Sequence, residues 1–252
     1  MEYDLATLAF IMAVEPTNTQ GRDMPRVFLM ILLLLPERIY AGDAFVQAKS
    51  GVNHGGSTVT LTWDQPTSNG NVIACYVWWN DVAATIVGVT DSVAGELVDS
   101  GLGSQALNNA HVAQMFYKEN ITGGPNGMVT VRFTALPGTE AIACHEISGR
   151  AQDAALGRKQ WHTQNFAGTG KDFITSASVP VEGNHYVFVG THAQYGTDAK
   201  AGSRFRLRTA GTNHPLTESL ADDQLKSGAI AGTFSPADND GFITGIMTFK
   251  PR

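Results

Sequence analysis

The chain has 252 residues, of which 43% are hydrophobic, 16% are charged and 27 are glycine. It can bury a large core, and abundant glycine with few charged residues is typical of strands joined by tight turns rather than of solvated helices. Residues 45–252 carry 14 basic and 17 acidic side chains, and such a weakly acidic domain has no general attraction for nucleic acid or anionic membranes.

The first 44 residues contain the pattern of a secretory leader. Met-Pro-Arg at 24–26 precedes an apolar run at 27–35, and Gly-Asp-Ala at 42–44 supplies small residues for cleavage. We therefore predict a signal peptide over 24–44, and a protein that is secreted or displayed at the cell surface. The apolar run has about half of the ~20 residues that a membrane-spanning helix needs, so no transmembrane anchor is expected.

Residues 1–23 are a doubtful extension of this leader. Glu2 and Asp4 precede their apolar stretch, whereas a secretory signal begins with basic residues. We predict that Met24 is the true initiator and that an over-long reading frame supplies residues 1–23. The alternative is a longer natural leader.

From residue 45 onward, apolar and polar residues alternate over short segments that end at turn residues. In Ser57–Trp63 the threonines share one face of a strand and the apolar residues share the other. The runs at 72–79, 140–147 and 184–191 are almost wholly apolar and predict central strands covered on both faces. About a dozen strands are predicted, at 45–49, 57–63, 72–79, 86–91, 112–117, 128–133, 140–147, 173–181, 184–191, 203–208, 228–234 and 242–249.

These segments predict one all-β domain over residues 45–252. Regular short strands between turns are typical of an antiparallel two-sheet β-sandwich of the jelly-roll or lectin-like kind. Helical periodicity is weak, and only 102–111 and 217–226 have room for a helical turn or two.

Seven short segments follow one another in an order that is found in a known group of β-modules. They are TVTLT (58–62), SNGNVI (68–73), VGVTDS (87–92), YKENI (117–121), GG (123–124), VTV (129–131) and EISG (146–149). With them, residues 45–250 resemble a jelly-roll-like module of bacterial secreted and cell-surface proteins. The resemblance implies an extracellular module beside adhesin-like or polysaccharide-associated domains. It implies no catalytic residue, because the ligands of such modules are mostly unassigned.

The two cysteines, Cys75 and Cys144, lie in two of the apolar runs predicted to be central. An isolated pair in an exported protein can oxidise if the strands bring the two Cα atoms within roughly 7 Å. Strand adjacency does not follow from the sequence. Two alternatives therefore stay open, a disulfide or two buried thiols that pack as small apolar side chains.

Three tryptophans are candidate ligand-binding residues. Trp78 and Trp79 are adjacent on one predicted strand, so one should enter the core while the other points outward, where its ring could stack on a sugar. Trp161 lies in a predicted connection. The alternative, which we favour, is that all three pack in the core.

Three arginines form a predicted basic stripe. Arg204, Arg206 and Arg208 alternate with apolar residues, so they share one face of a strand and could bind an anionic polysaccharide or a carboxylate. The alternative, which we favour, is that their charges protect an edge strand from pairing with another sheet.

Asp-Asn-Asp-Gly at 238–241 resembles a fragment of a calcium loop, with Asp238 and Asp240 as ligands. The glutamate that closes a full loop is missing, because residue 249 is phenylalanine. The alternative, which we favour, is a hairpin turn. No other cofactor is predicted.

Catalytic signatures are missing from the sequence. A glycosidase needs two carboxylates roughly 5–9.5 Å apart, yet Glu146 has no acidic residue at 142, 144, 148 or 150. Nucleophile-elbow, phosphate-loop and zinc-protease motifs are also missing. We predict a secreted, non-catalytic binding or surface-interaction module whose partner is a polysaccharide or cell-surface glycan. The alternatives are a structural component of an extracellular assembly, or a β-sandwich polysaccharide hydrolase or lyase.

Overall fold

The computed structural model describes residues 44–108, 110–164, 174–193, 200–202, 204–210, 215–220, 227–235 and 241–252. The predicted leader, residues 24–44, and its doubtful extension therefore lie outside the described residues except for Ala44. No helix long and apolar enough to span a membrane occurs in the described part of the chain.

Nineteen strands, paired in antiparallel ladders, make up the regular structure of these residues. The first nine are β1 (Phe45–Asn53), β2 (Thr58–Thr62), β3 (Val72–Asn80), β4 (Ile86–Asp91), β5 (Gly95–Asp99), β6 (Gln105–Leu107), β7 (His111–Lys118), β8 (Met128–Phe133) and β9 (Glu140–Ile147). The other ten are β10 (Leu156–Gln164), β11 (Ile174–Thr175), β12 (Val179–Glu182), β13 (Tyr186–Ala193), β14 (Lys200–Ala201), β15 (Phe205–Thr209), β16 (Leu216–Leu220), β17 (Ser227–Ile230), β18 (Thr233–Ser235) and β19 (Phe242–Phe249). The all-β, antiparallel class is confirmed.

The first nine strands form one sheet that curls until its ends nearly meet. Its order is β1-β9-β3-β7-β5-β4-β8-β2, with β6 beside β7. At the seam, Lys49 Nζ lies 2.6 Å from Asp64 Oδ1, and a side chain at Gly51 would collide with the carbonyl of Thr60. This sheet encloses the first core: Val59, Leu61, Trp63, Ile73, Cys75, Val77, Trp79, Ala84, Val89, Ala94, Leu97, Val112, Phe116, Ile121, Val129, Val131, Phe133, Ile142 and Cys144.

A five-stranded sheet, in the order β10-β19-β13-β16-β15, packs on the opposite face of β9, β3 and β7. The second core lies between these sheets and consists of Ala44, Val72, Ala74, Tyr76, Trp78, Leu107, Ala113, Met115, Ala141, Ile147, Ala155, Tyr186, Phe188, Ile243, Met247 and Phe249. The Tyr76 hydroxyl crosses this core and donates a 2.7 Å hydrogen bond to the Ile243 carbonyl.

Two small sheets, β11-β18-β14 and β12-β17, cover the other face of the five-stranded sheet. The third core lies there and consists of Val179, Val181, Val187, Val189, Phe205, Leu216, Ile230, Phe234, Phe242 and Ile246. Layers of strands and cores therefore alternate through the molecule.

This layering explains the long apolar runs. Every residue of β9 and β19 is buried, and so are the first eight of β3 and the first seven of β13. The central position predicted for 72–79, 140–147 and 184–191 is confirmed. A two-sheet sandwich is not confirmed, because the five-stranded sheet carries a core on each face.

Some predicted boundaries were wrong. β10 was not predicted, and residues 105–107 form a strand where a helical turn was considered. The predicted strand 173–181 is interrupted between β11 and β12, and the predicted strand 228–234 is interrupted between β17 and β18. The two interruptions lie opposite each other. There Ser176 N–H donates to the Gly232 carbonyl at 2.9 Å, and Gly232 N–H donates to Ser176 Oγ at 2.8 Å. The side chain replaces a ladder bond, so the pairing is interrupted.

Candidate functional site

Trp78 and Trp79 are both buried, with 2% and 1% of their surfaces exposed. Trp79 points into the first core, where its indole N–H lies 3.0 Å from the carbonyls of Asp81 and Ala84. Trp78 points into the second core and stacks on His192, with ring centroids 3.7 Å apart. The expected outward-facing ring is missing because β3 has a core on each side, so neither ring is offered to a ligand.

Trp161 lies on β10 rather than in a connection, and it is half-buried against the second core. Its indole N–H donates a 3.3 Å hydrogen bond to the Gly103 carbonyl, and its ring meets the Tyr76 ring edge-on at 6.0 Å. These contacts give Trp161 a packing role.

Arg204 and Arg206 are exposed. Both lie at β15, which is an end strand of the five-stranded sheet. Arg204 precedes β15, whereas Arg206 lies within it, opposite Ser219 of β16. β15 has one ladder partner among the described strands, and this is the position at which charged side chains discourage further pairing.

Arg208 departs from this stripe because a bulge interrupts the β15–β16 ladder between Leu207 and Thr209. A bulge re-aims the side chain of its extra residue. The Arg208 guanidinium lies 3.6 Å from the Phe45 ring centroid, and its Nε donates a 2.8 Å hydrogen bond to Ser219 Oγ. The three arginines therefore do not present one basic surface.

A disulfide joins Cys75 to Cys144, which are directly opposite in the β3–β9 ladder with Cα atoms 4.1 Å apart. Both residues have 0% exposure. The calcium candidates, Asp238 and Asp240, lie outside the described residues. Within the described ranges, no three histidine, cysteine, aspartate or glutamate side chains come together as a metal site.

A buried polar link connects the first sheet to the five-stranded sheet. His145 of β9 hydrogen-bonds the Tyr186 hydroxyl at 2.9 Å through Nδ1 and Thr217 Oγ1 at 2.7 Å through Nε2. Burial, and then the nearby Arg208 charge, lower the pKa of His145 well below its usual value. His145 has 0% exposure, so this link is structural and no ligand reaches it.

A polar cleft of about 330 Å³ opens at one end of the five-stranded sheet. Segments distant in the sequence meet there: the start of β10, the strand β12, the turn before β13, and the residue after β19. The described residues that line the cleft are Gly157, Arg158, Pro180, Glu182, His185 and Lys250. None of these was selected from the sequence, because their separate segments show no common pattern before the chain folds.

The cations Arg158 and Lys250 and the carboxylate of Glu182 line this cleft together with the imidazole of His185. Burial lowers the pKa of His185, the charges of Arg150 and Lys250 lower it further, and Glu182 opposes them. His185 is therefore neutral at pH 7. Its Nδ1 is buried and has no hydrogen-bond partner among the described residues, so one hydrogen-bonding position of the ring is unused there.

Gly157 sets the shape of the cleft floor. A Cβ atom at this position would lie 2.6 Å from Thr248 Oγ1 and 3.4 Å from His185 Cε1. The neighbouring Arg158 N–H donates a 2.7 Å hydrogen bond to the same Thr248 hydroxyl. β10 therefore approaches β19 closely here, which holds the Arg158 backbone beside the imidazole.

A second opening, a groove of about 400 Å³, lies where β4 and β5 diverge. The β4–β5 ladder ends at the pair Val89 and Leu97, short of Val87 and Val98. Val87 is 59% exposed and Val98 is 51% exposed. This groove is more apolar than the cleft.

No protein-family model, no curated protein and no solved structure matches the chain. The resemblance to a jelly-roll-like module of bacterial secreted proteins therefore stays a prediction.

Proposed function

We propose that this chain is an exported, non-catalytic binding module that recognises an acidic glycan. The observation that carries the proposal is the cleft in which Arg158 and Lys250 flank the neutral His185. Two cations beside one carboxylate form a locally basic hollow on a domain of net negative charge. Arginine and lysine bind carboxylates through charge-assisted hydrogen bonds, and a neutral imidazole adds a site for a sugar hydroxyl.

The chemistry of the cleft supports binding rather than hydrolysis. Glu182 supplies the carboxylate among the described lining residues, whereas glycoside hydrolysis uses a pair of carboxyl groups. The buried disulfide agrees with export, because disulfides persist in oxidising compartments.

A glycan array tests the proposal. The purified protein should bind glycans that contain uronic acids and should ignore their neutral counterparts, in the presence or absence of calcium. The double variant R158Q/K250Q should lose this signal, whereas Arg132→Gln, on β8, should keep it. Binding to neutral sugars alone, or to no glycan by protein shown to be folded, contradicts the proposal.

A structural role in an extracellular assembly is the second candidate, and the groove between β4 and β5 favours it. Exposed apolar side chains at Val87 and Val98 are typical of a protein contact surface. Two results together would support this role. The protein should bind no glycan on the array, and it should associate in a concentration-dependent way that the double variant V87S/V98S abolishes.

A further inference from the structure

Two histidines from facing sheets meet inside the second core. His111 is the first residue of β7, and His192 lies near the end of β13. His192 Nε2 lies 3.0 Å from His111 Nδ1, and the two ring centroids are 4.9 Å apart. Trp78 stacks on His192 at 17° and lies 6.1 Å from the His111 ring, which fixes the orientation of the pair.

Only one hydrogen atom fits between the two facing nitrogens, so one ring must donate to the other. Burial lowers the pKa of His111, and burial followed by His111 itself lowers that of His192 well below its usual value. Histidine ligates metals in its neutral form, and burial disfavours the charged form of both rings.

The spacing of the two nitrogens is close to that of a metal-bound pair. A zinc–imidazole bond is about 2.0–2.1 Å long, so two tetrahedral ligand nitrogens lie about 3.3–3.4 Å apart. The observed 3.0 Å separation needs an opening of only a few tenths of an ångström. A metal ion would then take the place of the bridging hydrogen, which moves to the other nitrogen of the donor ring, and both rings would turn so that their lone pairs meet at the ion.

Unused polar atoms lie beside the pair. Asn80 is opposite His111 in the β3–β7 ladder and shares a face of β3 with Trp78. Asn80 Oδ1 and Trp78 Nε1 are both buried without a hydrogen-bond partner in the described ranges. An orphaned buried acceptor is costly, and a bound cation would satisfy the Asn80 oxygen.

We propose that His111 and His192 form a binding site for a first-row transition-metal ion, Zn²⁺ or Cu²⁺, with Asn80 supplying an adjacent oxygen. Imidazole suits these ions, whereas Mg²⁺ and Ca²⁺ prefer sites made of oxygen ligands. The site is separate from the basic cleft and does not depend on its ligand.

A titration of the tag-free chain with Co²⁺, followed by competition with Zn²⁺, tests this site. We expect one equivalent of Co²⁺ to give visible absorption bands that Zn²⁺ removes. His111→Gln should weaken binding at least tenfold, and His54→Gln, at an exposed histidine, should leave it unchanged. Equal affinity of H111Q and the wild type overturns the proposal.

A second measurement needs no variant and decides the matter even if H111Q fails to fold. The electron paramagnetic resonance spectrum of the chain with one equivalent of Cu²⁺ should show coupling to two imidazole nitrogens. Coupling to fewer, or Cu²⁺ that stays free in solution, contradicts the proposed site.

Discussion

At the scale of single residues, two glycines allow the second core to form. Gly190 of β13 is paired with Gly245 of β19. The Tyr76 ring from the facing sheet lies against Gly190, whereas Met115 and Trp161 lie against Gly245. A Cβ at Gly190 would lie 2.5 Å from the Tyr76 ring, whose hydroxyl must still reach the Ile243 carbonyl. Gly190 therefore leaves the space that the Tyr76 ring occupies, and Gly245 leaves space for Met115 and Trp161.

Gly190→Ala should lower the free energy of unfolding by about 1–3 kcal/mol, because an added methyl group overpacks a closed core. Gly138→Ala is the matched control, since nothing lies within 4 Å of the Cβ it would add. Chemical denaturation monitored by tryptophan fluorescence measures both. A G190A variant as stable as G138A would show that the sheets can separate without cost.

Glu218 is a fully buried acid on β16, facing the third core beside Leu216. A Cβ at Gly232 would lie 2.6 Å from Glu218 Oε1, so the chain closes tightly over the carboxyl group. Burial raises the pKa of Glu218 to about 9, and neither carboxyl oxygen has a hydrogen-bond partner among the described residues. The side chain is therefore protonated at pH 7.

This raised pKa predicts a pH dependence of stability. The stabilising contribution is fully present below the ordinary pKa of 4.5 and is lost as the pH rises toward about 9. Between pH 5 and 9 the unfolding free energy of the wild type should fall more steeply than that of Glu218→Gln, by up to about 1.4 kcal/mol per pH unit.

Urea unfolding at several pH values checks the prediction for Glu218. Glu96→Gln, at an exposed glutamate, is the control and should follow the wild type. Parallel pH curves for E218Q and the wild type would mean that Glu218 is ionised in the folded protein.

At the scale of elements, the sequence predicts a strand well when its burial is uniform. β3 and β9 are apolar throughout because both faces are covered, and alternation marks β2 because one face is exposed. β10 was not predicted from the sequence. Its ladder with β19 shifts register between Leu156 and Lys159, and this shift interrupts the alternation of apolar and polar residues. Burial on both faces is visible in a sequence, but the identity of the covering sheet is not.

The disulfide between β3 and β9 closes a sequence separation of 69 residues. Restricting the unfolded chain in this way should stabilise the fold by about 4 kcal/mol. With dithiothreitol present, thiol labelling of the native protein should find no free cysteine, because both sulfurs are enclosed. The same labelling in denaturant with dithiothreitol should find two free cysteines. Reduced protein that refolds with unchanged stability would contradict this role.

At the scale of the whole molecule, stacked sheets bring together residues that no local pattern connects. The cleft takes Arg158 from β10, Glu182 from β12, His185 from a turn and Lys250 from the end of β19. By contrast, the residues chosen from the sequence, such as Trp78 and Trp79, were conspicuous because they build the core. The described aromatic residues of this layered β-protein lie mostly in its interior, and its polar cleft is assembled from the ends of strands.

The most direct test of the proposed function is the affinity of the purified protein for a soluble uronic-acid oligosaccharide, measured by calorimetry. We expect saturable binding that weakens with added salt, and a loss of at least tenfold, about 1.4 kcal/mol, in R158Q/K250Q. Arg132→Gln should bind as the wild type does. Wild-type affinity in the double variant would show that the cleft is not the binding site.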